Sequence, residues 1–411
     1  MVPVHNQKGD KMKVSVNVND LNRMLKTASK LIDSFGVLAG ELALSVHDGM
    51  FEVIVVAFNG RLTELRLSTD AGDVYNNDFE RVPAEDGFCV VRVKDLSPLK
   101  TAKKGSEIVI EAQKDIAHVI TPDFAFDILT ACDPAEFPDI LRQLNGDPAE
   151  TLEIVPNDCG CFKFIIPAIS QDTARPDFTG AVLRGGALIS TDGHRLHYCP
   201  LPALFGVGEF VGIISQELLR FIADGHAGTL TEYREQQMVE PPGYLKHRGA
   251  KAELQTVATW HVLEAPGVCI KSRPIRGIFP DFMRVIPNYK LDETVEIDAK
   301  MLANAIKPLY AGWKINMCMT LRNTPDGVEL KCKGKSGPKS GDVPPRTAVL
   351  KDIRLPHLPV ALNPSFIMDA LNGVSDQVTF CCIDQDSPVW IGEWSPMRPG
   401  RGAVIMPIEL F

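Results

Sequence analysis

Asp192, His194 and His197 fall together in the run Ser190-Thr191-Asp192-Gly193-His194-Arg195-Leu196-His197-Tyr198-Cys199. A carboxylate, imidazoles and nearby hydroxyls in one short stretch could perform acid-base chemistry, or the paired imidazoles could ligate a metal ion. The run follows an apolar strand, Ala181-Val182-Leu183, and a Gly185-Gly186 turn. It therefore reads as a turn entering a strand, where successive side chains point to opposite faces. The sequence places no third ligand and no glutamate base beside these residues. A metal- or acid-base-dependent hydrolase centred on Asp192, His194 and His197 is accordingly kept as the alternative.

Other candidate chemistry is weaker. Ten cysteines are scattered along the chain, and the closest groupings, Cys159-Gly160-Cys161 and Cys381-Cys382, lack zinc-ligand spacing and a neighbouring histidine. They read as reduced core thiols, so neither a metal nor a cofactor is expected. Gly334-Lys335-Ser336 has the look of a phosphate loop, but Glu329 stands where that loop needs its first glycine. The segment Lys331–Arg346 around it, with Lys331, Lys333, Lys335 and Lys339, reads as a solvated loop. So does Gln236–Lys251, which carries Pro241-Pro242-Gly243.

Composition bounds the setting. With 45% hydrophobic and 23% charged residues the chain is globular. No apolar run approaches the roughly 18–20 residues that span a bilayer, and the polar start, Met1–Lys11, lacks the apolar core of a signal peptide. A cytoplasmic protein with no membrane partner is expected. A net charge of −9 argues against a surface that seeks nucleic acid everywhere, but leaves room for a local basic face.

The elements that must position these residues recur along the chain. A β-branched run, a polar cap, a short amphipathic helix, a glycine and an alternating strand occur at Cys89–Ile110, Phe210–Leu230 and Leu358–Ile383, with Gly105, Gly225 and Gly373 closing the helices. Phe137-Pro138-Asp139 and Phe279-Pro280-Asp281 follow the first two copies. Upstream of the phrase, Val14–Val18 leads into a helix over Asn19–Ile32, and Val295-Glu296-Ile297 into one over Asp298–Leu309, with Pro308 expected to kink its end. In the middle third, Phe162-Lys163-Phe164 reads as a strand leading into a helix over Pro167–Thr173. The expected organisation is an extension, 1–11, and three related domains, 12–145, 146–288 and 289–411.

Basic residues sit on the polar faces of several of these helices. Arg23, Lys26 and Lys30 lie opposite Leu21, Met24, Leu25, Ala28 and Leu31; Lys94, Lys100 and Lys103 lie opposite Leu96, Leu99 and Ala102. Lys300, Lys307 and Lys314 recur beside Met301, Leu302, Ile306 and Leu309. If equivalent helices share a surface, these cations form a track that meets phosphates without reading bases.

Taken together, the threefold phrase, Thr191-Asp192-Gly193-His194-Arg195-Leu196, the run from Phe279 to Pro287 and the terminal Val404-Ile405-Met406-Pro407-Ile408-Glu409-Leu410 resemble the β-type sliding clamps of bacterial replicative DNA polymerases. The resemblance covers Met12 to Leu410. It implies an α+β fold of three similar clamp domains, each with two helices packed on antiparallel sheets, forming half of a ring. Two copies would join head to tail as a homodimer around duplex DNA, without catalysis of their own. The implied partners are the replicative DNA polymerase, the clamp loader and other proteins with a clamp-binding motif. The family's peptide-binding positions carry over to Arg175, Phe178, Thr191, Gly193, His194, Arg195, Leu196, Pro280, Arg284, Val285, Asn363, Phe366, Val404, Met406, Pro407 and Ile408.

Subunit joining is expected at an edge strand near Phe124–Leu129 and at the helix around Ile306 and Leu309. The chain departs from the family at Ser34–Gly40, which lacks the usual basic residue. It departs again at Pro176 and Asp177, where aromatic residues are common, and at Glu409 and Phe411. A divergent member is implied.

Overall fold

A computed structural model describes residues 11–35, 41–58, 62–75, 81–132, 137, 146–201, 208–239, 252–286, 290, 293–311, 318–333, 345–395 and 400–408. Outside them lie Lys314, Lys335, Lys339, Pro138, Asp139, Pro287, Glu409, Leu410 and Phe411, together with residues 1–10, 36–40 and 240–251. The chain divides into two compact units. Met1–Glu153 and Gly228–Pro274 form one, and Ile154–Ala227 and Ile275–Phe411 form the other.

In the first unit an eight-stranded sheet runs in the order Asp147–Ile154, Gly228–Val239, Glu253–Ala265, Val268–Ser272, Leu62–Asp70, Met50–Phe58, Glu41–His47, Gly87–Arg92. A four-stranded antiparallel sheet runs Lys11–Asn17, Glu107–Gln113, Ile116–Ile120, Ala125–Leu129. Helix α1, Val18–Phe35, buries Leu21, Met24, Leu25, Ala28 and Leu31 and leaves Arg23, Lys26 and Lys30 exposed, as the helical spacing requires. The second helix of this unit, Val93–Thr101, buries Leu96 and Leu99 but is a 3₁₀ helix. Pro98 within it has no N–H to give to an α ladder. Gly105 follows at φ +78°, and its N–H donates to Asn19 Oδ1 at the start of α1 (3.2 Å), tying the two helix ends together.

The second unit holds the candidate site. Its eight-stranded sheet has the order Ile214–Ser215, Gly180–Arg184, Ala187–Thr191, Arg195–Pro200, Gly402–Ile405, Val389–Gly392, Gln377–Cys381, Thr294–Asp298. Its four-stranded sheet has the order Arg346–Lys351, Gly327–Lys333, Cys318–Thr324, Val360–Leu362. Among the described residues four α-helices belong to it: α2, Cys159–Ile165; α3, Gln216–Ala223; α4, Ala299–Tyr310; and α5, Pro364–Leu371.

Each of the last three begins at a polar cap. Ser215 Oγ accepts from Leu218 N, Asp298 Oδ1 from Met301 N (2.6 Å) and Asn363 Oδ1 from Ser365 N (3.0 Å). Gly225 and Gly373, after α3 and α5, take positive φ and release the chain into strands. Pro308 falls in the last turn of α4, where Arg346 Nη1 donates to the carbonyls of Pro308 and Ala311.

Two expectations are corrected. Phe162-Lys163-Phe164 is helix, not strand: Cys159, Phe162 and Ile165 recur at threes on a buried face, and the strand that precedes them is Asp147–Ile154. The segment expected as helix, Pro167–Thr173, contributes only the 3₁₀ turn Ile166–Ala168 before it opens into a loop. A three-residue alternation is too short to separate the two periods. The other correction concerns the helix side of the expected subunit contact. Ile306 and Leu309 are core residues of the second unit, 0% and 3% exposed, and offer no surface. The strand Ala125–Leu129 does lie at a sheet edge, with Leu129 exposed. No described helix is long and apolar enough to cross a membrane.

Candidate functional site

The turn from Thr191 to Arg195 is built by its own side chains. Asp192 Oδ1 accepts from the N–H groups of His194 (2.9 Å) and Arg195 (3.0 Å), and the Thr191 hydroxyl accepts from Gly193 N while donating to Arg195 O (2.6 Å). Gly193 sits at φ +87°, a left-handed conformation that a side chain disfavours, and an added Cβ would press on the Arg175 guanidinium. The turn hands the chain to the strand Arg195–Pro200, which pairs with Gly402–Ile405 so that Leu196 faces Val404 in register. Met406 continues that ladder by donating its N–H to the His194 carbonyl (2.9 Å).

Arg195 locks this arrangement. Its Nε donates to Asp192 Oδ2 (3.0 Å), Nη1 to Asp369 Oδ2 on α5 (2.5 Å) and Nη2 to the Pro167 carbonyl, and its guanidinium lies 4.2 Å from the centre of the Phe366 ring. The side chain is only 10% exposed, so these contacts act at low dielectric and position one planar group from four sides.

Between the two paired strands and the segment Pro280–Val285 lies a cavity of about 240 Å³, lined by Arg175, Phe178, Thr191, Gly193, Arg195, Leu196, Pro280, Phe282, Val285, Val404 and Met406. Leu196, Val404 and Phe282 form an apolar floor, and Met406 and Arg175 stand exposed at the rim. Arg175 lays its guanidinium 4.1 Å from the centre of the Phe178 ring, a cation-π contact that fixes one wall. Of the positions carried over from the resemblance, Arg175, Phe178, Thr191, Gly193, Arg195, Leu196, Pro280, Val285, Val404 and Met406 meet here.

The remaining positions do other things. His194 lines a second, more polar cavity of about 440 Å³ that shares Arg175 and Arg195 with the first. Arg284 is highly exposed and pairs with Asp281 (3.0 Å). Asn363 caps α5, Phe366 lies beneath Arg195, and Ile408 donates its N–H to Ala361 O; Pro407 lies between Ile408 and Met406. Phe282 is the wall residue that the sequence reading passed over. Its signal was present, since Phe279 and Phe282 stand three apart in the quoted run and both are buried.

The same geometry removes the hydrolase alternative. His197 is fully buried, stacks on Phe164 with ring centres 4.7 Å apart and shares a hydrogen bond between Nδ1 and the Phe164 carbonyl (2.7 Å). Burial, with a smaller contribution from the Arg195 charge, pushes its pKa down to about 3, so at neutral pH it is an uncharged core side chain. His194 and His197 lie on opposite sides of the strand entry, one exposed and one in the core, and Asp192 is consumed by the turn and by Arg195. These residues can neither converge on a metal ion nor relay a proton.

Basic residues occur on the exposed helix faces as the spacing required. Arg23, Lys26 and Lys30 on α1, Lys94, Lys100 and Lys103 on or just after the 3₁₀ helix, and Lys300 and Lys307 on α4 are all exposed. Arg23 pairs with Asp20 (2.9 Å) and Lys300 with Asp376 (2.8 Å). Both pairs are open to solvent and therefore worth little and easily exchanged.

Comparison with known proteins adds the fold. No family model matches the chain, and no curated protein does. Solved structures do. The DnaN sliding clamp (DNA polymerase III subunit beta) of Pseudomonas aeruginosa, bound to griselimycin, is 18% identical over 97% of this chain and 100% of its own, with a TM-score of 0.70. The β sliding clamp of C. crescentus is 17% identical over 97% and 99%, and that of H. pylori, in complex with diflunisal, 18% over 97% and 100%, each with a TM-score of 0.72. The chain thus has the fold of the bacterial β sliding clamps along essentially its whole length.

Proposed function

We propose that this chain is a sliding clamp: a subunit that closes with a second copy around duplex DNA and tethers a replicative polymerase for processive synthesis, with no chemistry of its own. The observation that carries the proposal is end-to-end coverage of the clamp fold, 97% of this chain against 99–100% of a complete clamp, rather than of one shared module. Three modules, 12–145, 146–288 and 289–411, and a head-to-tail pair would supply the ring. Recurrence of the helix, glycine and strand phrase at Gly105, Gly225 and Gly373 supports the threefold part. The exposed strand Ala125–Leu129 supports edge-to-edge joining, because among the described residues no strand pairs with its outer edge, and such an edge favours a partner strand.

Exposed lysines on α1, on α4 and at the 3₁₀ helix would meet phosphates through solvent, in a sequence-independent and salt-sensitive way. An acidic chain of net charge −9 repels DNA elsewhere, which suits a ring that must slide. The 240 Å³ cavity is large enough for one or two apolar side chains, and its methionine rim adapts to different ligands. It would take a leucine or phenylalanine anchor of a short segment from the polymerase, the clamp loader or another clamp-binding protein.

A fluorescent pentapeptide with leucine and phenylalanine anchors tests the cavity. Saturable binding that weakens at least about tenfold in Leu196→Ala, a loss of roughly 1.4 kcal/mol, is expected. Binding that is unsaturable, or equal in the variant, would overturn the assignment.

A further inference from the structure

The polar cavity of about 440 Å³ lies wholly within the second unit and shares Arg175 and Arg195 with the apolar one. Its charges are unevenly matched. Arg195 already faces Asp192 and Asp369, so it brings no open charge to a ligand. Arg175 and Arg220 are exposed, and among the described residues no carboxylate pairs with either guanidinium. Against them stands Asp172, whose Oδ1 accepts the Ala174 N–H (2.9 Å), since the Asp192 oxygens are taken by the turn and by Arg195. Two open cations against one open carboxylate leave this cavity positive in a chain of net charge −9.

The donors come from separate elements. Gln216 and Arg220 stand four apart on α3 and so share a helix face. Arg175 precedes the 3₁₀ turn Pro176–Phe178, and its contact with the Phe178 ring holds the guanidinium at the boundary of the two cavities. An added Cβ at Gly193 would lie 3.3 Å from a terminal nitrogen of Arg175, so the glycine is what lets the guanidinium lie there. The Gln216 amide and the His194 ring add N–H donors along the same wall.

Two guanidiniums and neutral donors without a matching anion suit a carboxylate or a phosphate. The shared wall decides between them. A duplex presents its phosphates along a convex rod and brings no apolar group to the neighbouring cavity. A peptide can bring both. An extended chain advances roughly 3.3 Å per residue, so an acidic side chain about one to three residues from an apolar anchor reaches the adjoining cavity.

We propose that the polar cavity selects partner segments that carry an aspartate or glutamate within about three residues of the apolar anchor, with Arg220 and Arg175 receiving the carboxylate. The apolar cavity then supplies most of the affinity and the cationic one discriminates, because a neutral flank forgoes the contact and a lysine reverses its sign. This selection rests on the proposed peptide capture at the apolar cavity.

Fluorescence anisotropy with the full chain tests it. The leucine- and phenylalanine-anchored pentapeptide is compared, in low and high salt, with versions extended at either end by Asp-Asp, Ser-Ser or Lys-Lys. One Asp-Asp peptide should bind about three- to tenfold tighter than its Ser-Ser counterpart, and the matching Lys-Lys peptide more weakly than both. The gain should shrink to less than about twofold in Arg220→Gln, remain for the most part in Arg220→Lys and fade in high salt, while the pentapeptide itself keeps its affinity in both variants. Equal binding of the Asp-Asp and Ser-Ser peptides at both ends, with the pentapeptide still bound, would overturn the selection and leave the proposed function standing. A gain that survives Arg220→Gln would overturn it as well. If Arg220→Gln weakens binding of a short DNA duplex and not of the Asp-Asp peptide, the cavity is a phosphate contact and the proposal falls. Failure of the pentapeptide to bind would remove the anchor, and with it both the selection and the peptide capture.

Discussion

The cavity around Arg195 and the cationic faces of α1 and α4 are built on opposite principles. At the cavity, one guanidinium is 10% exposed and held by Asp192, Asp369, the Pro167 carbonyl and the Phe366 ring, so many contacts converge on a single group. On the helices each cation stands in solvent, and the ion pairs of Arg23 and Lys300 are open to water. On the proposed function, the first surface would hold a specific peptide and needs fixed shape, whereas the second would let DNA slide and needs many weak and interchangeable contacts. Substitutions should therefore act steeply at the first region and shallowly at the second.

The largest effect is expected for Arg195→Ala. Removing it strands Asp192 and Asp369 beside a buried face and should cost about 3–5 kcal/mol of stability, read as a lowered midpoint in urea, together with loss of pentapeptide binding. Val404→Ala should cost about 2 kcal/mol in the same melt and weaken the peptide with it, because Val404 is both core and cavity wall.

Acid sharpens the contrast further. His197 has a folded pKa of about 3 against an ordinary value of 6.5, so between these limits the unfolded chain binds a proton that the folded one refuses. Its contribution to stability is intact above pH 6.5 and falls by about 1.4 kcal/mol for each pH unit below it, until the folded group titrates. His197→Gln should flatten that part of the stability-pH profile. The helix cations should give the smallest effect. Lys26→Ala should leave stability within about 0.5 kcal/mol and lower the slope of log affinity for DNA against log salt by about one. A Lys26→Ala effect as steep as that of Arg195→Ala would erase the distinction between the regions.

Much of this fold was legible because local signals agreed with the tertiary outcome. Capping residues Ser215, Asp298 and Asn363, and closing glycines Gly105, Gly225 and Gly373, mark helix ends whatever packs on them. Helix α2 was misread because Phe162-Lys163-Phe164 alternates over too few residues, and the 3₁₀ character of Val93–Thr101 turns on a single proline.

At the site, ten of the sixteen positions carried over from the clamp resemblance line one cavity and six lie elsewhere, yet the roles of Arg195 and His197 could not be read from spacing. Arg195 draws its partners from positions 167, 192, 366 and 369, and His197 is neutral only because Phe164 and the surrounding core enclose it.

Topology offers the most direct test of the clamp itself. The chain should be loaded by a bacterial clamp loader onto a nicked circular DNA, and its retention followed by gel filtration in high salt. A clamp stays with the intact circle, where salt weakens every phosphate contact, and runs off once a restriction enzyme opens it. Release from the closed circle at that salt, or retention on the linear product, would contradict the account.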